Sequence, residues 1–534
     1  MVTKAASDTN FYSFDCGCYI PIDEDGDPQI DYENINLCCN KTWKTYAKGY
    51  TRSIFQLEKR LGKEWSKKLK PESIPEAAAL ISVIRPGTLN AVNAEGKNFS
   101  EVFCDRKNAG WKPEEGDKLS EALKETYGIN IYQEQTMFLS FLFAGFDGDQ
   151  QIKLLKGIAK KDAAYLASLK EEFLNGCNSK GLITESQALE VFSNIEASAR
   201  YAFNKSHAVG YAKTGYWTAW VKSHLPVHYI CAWLRHAKNT PKPKQEIKAI
   251  VSEANRLGIT IAPPSFKNLP ATNFFINKET SVIYFGIDSV KECGEKVANL
   301  IQKNIPKPPT SFLNFLVFDS QNLKKNNIIN FIRAGCFDYL QIDRYQAEHD
   351  YNKYSMLTKG EKKDCALIQT KLNLTSLKEL LERVLDLNGK KDRIKILKSI
   401  IDTFEDNLKD SKKAIIEQER ELIGANISYS SIMTTSQYSS THECGVIDDL
   451  PPNTKCIAHG EVDEYFEIEI KNGKMAGQTM ARFKLVDESG ECDCVVFPKE
   501  LDIYQGAIYE TSNVMIIGAI GNRGGLIVNK IYEG

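Results

Sequence analysis

The densest group of residues able to do chemistry lies between Arg200 and His228, in RYAFNKSHAVGYAKTGYWTAWVKSHLPVH. Cations alternate there with Tyr201, Phe203, Tyr211, Tyr216, Trp217 and Trp220. Ser206 is placed to cap a helix running to about Ser223. Lys205 and His207 then flank the helix N-terminus, where free N–H groups and the positive dipole end favour a phosphate or triphosphate. His207, Tyr211 and Thr214 share one face at i, i+4 and i+7. Such a face can contact or stack on a base. An aromatic core helix with a capped start reads the same residues equally well.

A second group is Cys16, Cys18, Cys38 and Cys39. Four thiolates can hold zinc, but a CxC followed by adjacent cysteines lacks the usual CxxC…CxxC spacing. No metal is therefore expected there. Cys492 and Cys494 alternate within a strand and read as packing. The 14 cysteines are scattered over 534 residues, as in a reducing compartment.

These groups sit in a chain with 68 Lys+Arg against 69 Asp+Glu, unevenly placed. Residues 1–40 are acidic, and residues 41–70 are basic. Residues 195–245 carry eight Lys/Arg against the single acid Glu196. Basic stretches of this kind point to an anionic partner or to a solvated face. The longest apolar run, Met137–Phe146, is about half the ~20 residues that span a bilayer. The first ten residues have no signal-peptide core. A cytoplasmic protein without a membrane partner is expected.

Periodicity divides the chain. Residues 41–240 read as helices broken by turns, among them a long apolar helix after Gly128. A short strand follows at 281–287, then a short helix through Ile301. Residues 374–423 should form one or two amphipathic helices. From Asn453 onward the period becomes 2, and five or six short strands fit an OB-like barrel. The fold expected is multidomain and mostly α, with a C-terminal all-β barrel.

Phe203-Asn204-Lys205-Ser206-His207-Ala208 resembles the FNKSH motif of the C-family bacterial replicative DNA polymerases, the alpha subunit of DNA polymerase III. Ile54-Phe55-Gln56-Leu57-Glu58 resembles the family's VFQLES. Arg85-Pro86-Gly87 matches its FRPG, Thr126–Ile129 its TYGI, and Tyr132–Gln135 its YQEQ. All five occur in family order. The resemblance implies an acidic segment at the palm/fingers junction (1–40), fingers (41–240), a helix-hairpin-helix duplex-binding domain (241–345), a helical connector (346–445) and an OB domain (446–534). It implies that Arg200, Asn204, Lys205, Ser206, His207, Tyr211 and Thr214 meet the incoming dNTP. Arg85 and Gln133 would organise the fingers core.

The family's basic RRAMGKK element is Leu155–Lys161 here, leaving Lys156, Lys160 and Lys161 for DNA. A lysine lacks the arginine fork, so affinity should be lower. Ile287–Ile301 resembles a helix-hairpin-helix, with Lys291 and Gly294 placed for a phosphate. Glu292 stands at the first glycine position, and its charge should repel one. Ala334–Asp338 resembles the family's SGAFD, and Gln418–Gly424 its ERE-x-LG. The segment nearest to a sliding-clamp motif is Gln369–Leu374. In the barrel, Arg482, Phe483 and Lys484 would contact single-stranded DNA, unless strict alternation turns Phe483 inward.

The family's palm aspartates, which hold two Mg2+ against the primer end, have no match here. Phe14-Asp15-Cys16-Gly17 departs from their pattern, so no catalytic or metal-binding residue is expected. With Met1 at its start, the chain reads as one half of a split polymerase. A palm-bearing partner chain would supply the Mg2+ ions, with primer–template DNA and dNTPs as substrates. The competing reading is a non-catalytic DNA-binding accessory protein that keeps the fold.

Overall fold

The computed structural model describes residues 11–533, apart from 86–87, 90–95, 161–162, 200–201, 270–271, 430–441, 448–449, 472, 488–489, 510–511 and 523. Arg200, Lys161 and the Pro86-Gly87 of the FRPG element thus lie outside the described residues, as does the side chain of Lys160. Two compact units result, Met1–Leu225 and Pro226–Gly534.

In the first unit, a hairpin of β1 (Phe11–Ser13) and β2 (Tyr19–Pro21) precedes the helix Asn40–Ala47. The helix Ile74–Val83 begins at Ser73, whose side chain accepts from the Glu76 N–H. Its last seven residues, Ala77–Val83, are all buried. It packs against the helix Lys205–His224, which offers Ala208, Ala212, Gly215 and Ala219 as a buried small-residue face. Small side chains let the two backbones approach closely. Around them lie Trp43, Tyr46, Phe103, Tyr132, Tyr216 and Trp220. A second core, with Phe143, Phe146, Phe173 and Phe192, sits among the helices Gly148–Lys160, Ala163–Lys180 and Glu185–Ala199.

The apolar stretch after Gly128 departs from expectation. Its α-helix is only Gln133–Leu139, continued by a π turn over Ser140–Ala144. Tyr132 instead bridges Phe203 in parallel, with Phe203 N–H donating to Ile131 O at 2.9 Å and Gln133 N–H to Phe203 O at 2.9 Å. That pairing holds the residues before Gln133 extended, which the local pattern could not reveal.

In the second unit, the small sheet β3 (Ile261–Ala262), β4 (Phe275–Asn277) and β5 (Val282–Tyr284) has the order β3-β5-β4. Three helices, not one or two, fill 374–423: Leu377–Leu387, Lys391–Asp402 and Lys412–Ile423. The breaks fall at Asn388-Gly389 and over 403–411. Before them, the Thr358 side chain caps the helix Lys359–Leu372, and Glu361 completes the capping box.

Buried Glu361 also takes a two-pronged pair from Arg393, whose Nη2 lies at 2.6 Å. Burial alone would raise its pKa, but Arg393 and the Thr358 cap outweigh it and hold the carboxyl at about 2, against 4.5 when free. A depressed folded pKa stabilises above the free value and is lost as pH falls toward the folded one. Replacing Glu361 with glutamine should therefore cost about 3 kcal/mol at neutral pH. The difference from wild type should shrink only between pH 4.5 and about 2, as read by urea unfolding.

The barrel strands are β6 (Lys455–Glu469), β7 (Thr479–Asp487), β8 (Gly490–Val496), β9 (Asn513–Ile520) and β10 (Leu526–Glu533). They close in the order β10-β8-β7-β6-β9, with β8 and β10 parallel and a helix, Pro498–Tyr504, between β8 and β9. This five-stranded closure is OB-like. One of the expected short strands is long: β6 has 15 residues and bends at a bulge between Asp463 and Phe466. The bulge lets a single strand pair with both β9 and β7. Gly518 is required at the seam, since a Cβ there would come within 2.3 Å of Ile527 O.

Candidate nucleotide and nucleic-acid interface

The helix Lys205–His224 starts earlier than Ser206 suggests. Asn204 is the N-cap, its Oδ1 accepting from His207 N–H at 2.8 Å. The pairing of Phe203 with Ile131 and Gln133 sets this start, leaving Ser206 exposed in the first turn. Glu134 then accepts from Lys205 N–H and from Asn204 Nδ2, both at 2.9 Å. Lys205 Nζ pairs with Glu125 at 2.7 Å. The donors expected to meet a triphosphate thus converge, and two carboxylates hold them. Sequence reasoning missed both acids, although Glu134 stands inside the quoted Tyr132–Gln135 element.

Phe203 is the hub of the group. The Arg85 guanidinium lies 3.5 Å from its ring centroid, and His207 meets its edge at 5.4 Å. His207 packs on Tyr211 at 3.8 Å, and Tyr211 on Phe55 at 4.9 Å. Burial lowers the pKa of Arg85. The Gln133 backbone and side chain hold Phe203 and Ala202 in place, while the side chain itself is exposed. His207 and Thr214 are exposed and Tyr211 half-buried, so the expected face exists and is open to stacking. The Thr214 hydroxyl donates to Gly210 O.

Lys156 is exposed on its helix. At the hairpin, Gly294 caps the helix Glu295–Asn304, and a Cβ there would meet nothing within 4 Å. Lys291, however, is half-exposed and paired with Glu421 at 2.7 Å, and its N–H donates to Leu422 O. Glu292 adopts φ 64°, the left-handed conformation a glycine would take. That conformation costs a non-glycine residue roughly 1 kcal/mol. Glu292→Gly should raise stability by about that amount and tighten duplex DNA binding severalfold, read by thermal unfolding and by fluorescence anisotropy.

In the barrel, alternation prevails. Phe483 is core, while Arg482 is exposed and Lys484 half-buried between Glu464 and Glu491. The aromatic on this face is Phe466, 49% exposed and paired in register with Arg482. The bulge between Asp463 and Phe466 shifts the phase of β6 and turns Phe466 outward. Stacking on an aromatic is worth about 1–3 kcal/mol per base. Phe466→Ala should therefore weaken oligo(dT) binding about tenfold without changing the unfolding transition. Unchanged binding would exclude this face.

In the clamp-like segment, Thr370, Lys371 and Leu372 are exposed. Gln369 is buried, bonding Asn314 and Leu374, and Asn373 ends its helix at φ 47°.

Residues 19–181 match the family model described as the bacterial DNA polymerase III alpha subunit finger domain. Residues 258–347 match a helix-hairpin-helix motif. The DNA polymerase III subunit alpha of Aquifex aeolicus (strain VF5) is 29% identical over 498 residues, 92% of this chain and 38% of the relative. That of Pasteurella multocida (strain Pm70) is 27% identical over 93% of this chain and 41% of the relative. That of Ureaplasma parvum serovar 3 is 30% identical over 60% and 32%. The chain is similar to bacterial DNA polymerase III alpha subunits over more than nine tenths of its length. It spans about two fifths of the length of the Aquifex and Pasteurella relatives.

The finger-domain match falls in the first unit, the helix-hairpin-helix match in the second, and the OB-like barrel follows the latter along the chain. No described helix is long and apolar enough to cross a membrane. The carboxylates near the chain start make local turns: Asp23 accepts from Asp27 and Gln29, and Asp31 from Glu33 and Asn34. Among the described residues, the group that converges as metal ligands is Cys16, Cys18, Cys39 and His224. Thiolates do not suit Mg2+, which takes oxygen ligands. Cys16, Cys18, Cys39 and His224 therefore do not fit the polymerase ions.

Proposed function

We propose that this chain supplies the fingers, duplex-binding and OB portions of a replicative DNA-directed DNA polymerase. A palm on a partner chain would provide the metal carboxylates and the two Mg2+. The observation that carries this reading is the open start of the helix Lys205–His224, where Asn204, Lys205 and His207 converge beside Arg85 and Phe203.

In this reading, Glu134 and Glu125 hold the site ready. The triphosphate displaces Glu125 from the Lys205 ammonium and Glu134 from the Lys205 N–H and the Asn204 side chain, exchanging carboxylate for phosphate oxygens. His207 and Tyr211 then line the base, and Arg85 keeps Phe203 and the helix start rigid. Lys156, the hairpin at Gly294 and the Phe466–Arg482 face follow the DNA.

Primer extension with Mg2+ and dNTPs tests this. The chain alone should bind primer–template without extending it, and a palm-bearing polypeptide should restore extension. Extension by the chain alone would overturn the split. DNA binding that no palm converts into extension would favour an accessory protein.

A further inference from the structure

The hairpin turn between β1 and β2 carries Cys16 and Cys18 on either side of Gly17. Cys39 precedes the helix Asn40–Ala47, and His224 is the last residue of the helix Lys205–His224. These four residues, up to 208 positions apart, point their ligand atoms at one another, all within 4.8 Å. Cys16 Sγ lies 3.1 Å and Cys39 Sγ 3.6 Å from His224 Nε2. Around a tetrahedral zinc with bonds of about 2.0–2.3 Å, ligand atoms sit about 3.5–3.8 Å apart. Cys18, Cys39 and His224 are buried, and Cys16 is half-buried.

The surroundings fix the ligands. His224 Nδ1 lies 2.8 Å from Trp220 O, and a carbonyl only accepts, so Nδ1 carries the proton. Nε2 is left with its lone pair aimed at the thiols, the orientation that metal-bound histidines take from such a partner. Phe14 and Trp220 hold the ring from two sides, at 4.8 and 4.4 Å. The Tyr216 hydroxyl donates to Asn36 O and accepts from Cys39 N–H, pinning the segment before the first helix. One imidazole lone pair can accept from only one of the three thiols, whereas a cation engages all four side chains at once.

We propose that Cys16, Cys18, Cys39 and His224 form a structural Cys3His zinc site. Binding Zn2+ releases the thiol protons to solvent and forms three Zn–S bonds and one Zn–N bond. No electrons are transferred. Four protein ligands fill the tetrahedron and leave no open position, which is the structural and not the catalytic pattern. The site ties the N-terminal hairpin and the first helix to the C-terminal end of the helix whose other end carries Lys205. Exposed Cys38, counted with this cluster on sequence, is outside the site.

The full chain, expressed with zinc, reduced and dialysed into metal-free buffer, is analysed by plasma mass spectrometry and, after exchange, by cobalt absorption. One zinc per chain is expected. The cobalt form should show thiolate charge-transfer bands and intense tetrahedral d–d bands. Cys39→Ser and His224→Asn should lose metal, and Cys38→Ser should keep it. Should the first two variants fail to fold, the wild-type cobalt spectrum decides. Wild type that takes up neither metal, octahedral cobalt bands, or loss of metal in Cys38→Ser would overturn the assignment. So would a disulfide among Cys16, Cys18 and Cys39 in the chain purified without reductant.

Discussion

Replacing Lys205 with alanine will weaken dATP binding by roughly 10- to 100-fold, the worth of a hydrogen bond between charged groups at a partly shielded site. In a reconstituted polymerase, the same change will raise the KM for dNTPs. The loss should come from the phosphate contact and not from the folded state, because the pair that Lys205 makes with Glu125 is partly exposed to solvent on both sides. Unfolding should be unchanged. Glu125→Gln serves as the opposite control. It releases Lys205 without altering the helix start, and it should tighten dATP severalfold. Equilibrium dialysis with labelled dATP reads both. Unchanged binding in Lys205→Ala would remove the triphosphate from this helix end.

The largest effect on stability will come from Glu419→Ala, about 3–5 kcal/mol in urea unfolding of the second unit. Glu419 is fully buried on the helix Lys412–Ile423. It accepts from Arg344 Nη2 at 2.8 Å and from the N–H groups of Ile427 and Ser428 at 2.7 and 2.9 Å. Arg344, itself buried, also pairs with Asp338 at 2.7 Å and donates to Arg333 O. Truncating Glu419 leaves two backbone donors unsatisfied and Arg344 with only one of its two carboxylates. Glu419→Gln keeps the shape and should cost less.

That helix shows what was legible and what was not. Gln418–Gly424 could be matched to a family segment by residue type alone, and the glycine at its end takes the φ of 87° that a helix terminus favours. Each charged residue nevertheless has a partner distant in sequence. Glu419 meets Arg344, Arg420 meets Glu461 on β6, and Glu421 meets Lys291 at the hairpin. Glu461 also takes Lys248 at 2.7 Å, so one buried carboxylate joins the barrel to two helices. Residue type indicates that such charges exist, but not which ones meet.

The sequence by itself determined the mostly helical body, the barrel at the end and the kinship with polymerase fingers. Periodicity is local, and family motifs keep their order along the chain. The tertiary structure alone decided that Asn204 caps the key helix, because a strand-like bridge from Tyr132 sets where that helix begins. It decided that Phe466 faces outward, because a bulge shifts the alternation of β6, whereas Phe483 turns inward as plain alternation along β7 allowed. It also brought His224 to Cys16, Cys18 and Cys39. A spacing rule sees candidate ligands along the chain, whereas a metal would see them in space, and here the fourth candidate comes from the far end of the helix that begins at Lys205.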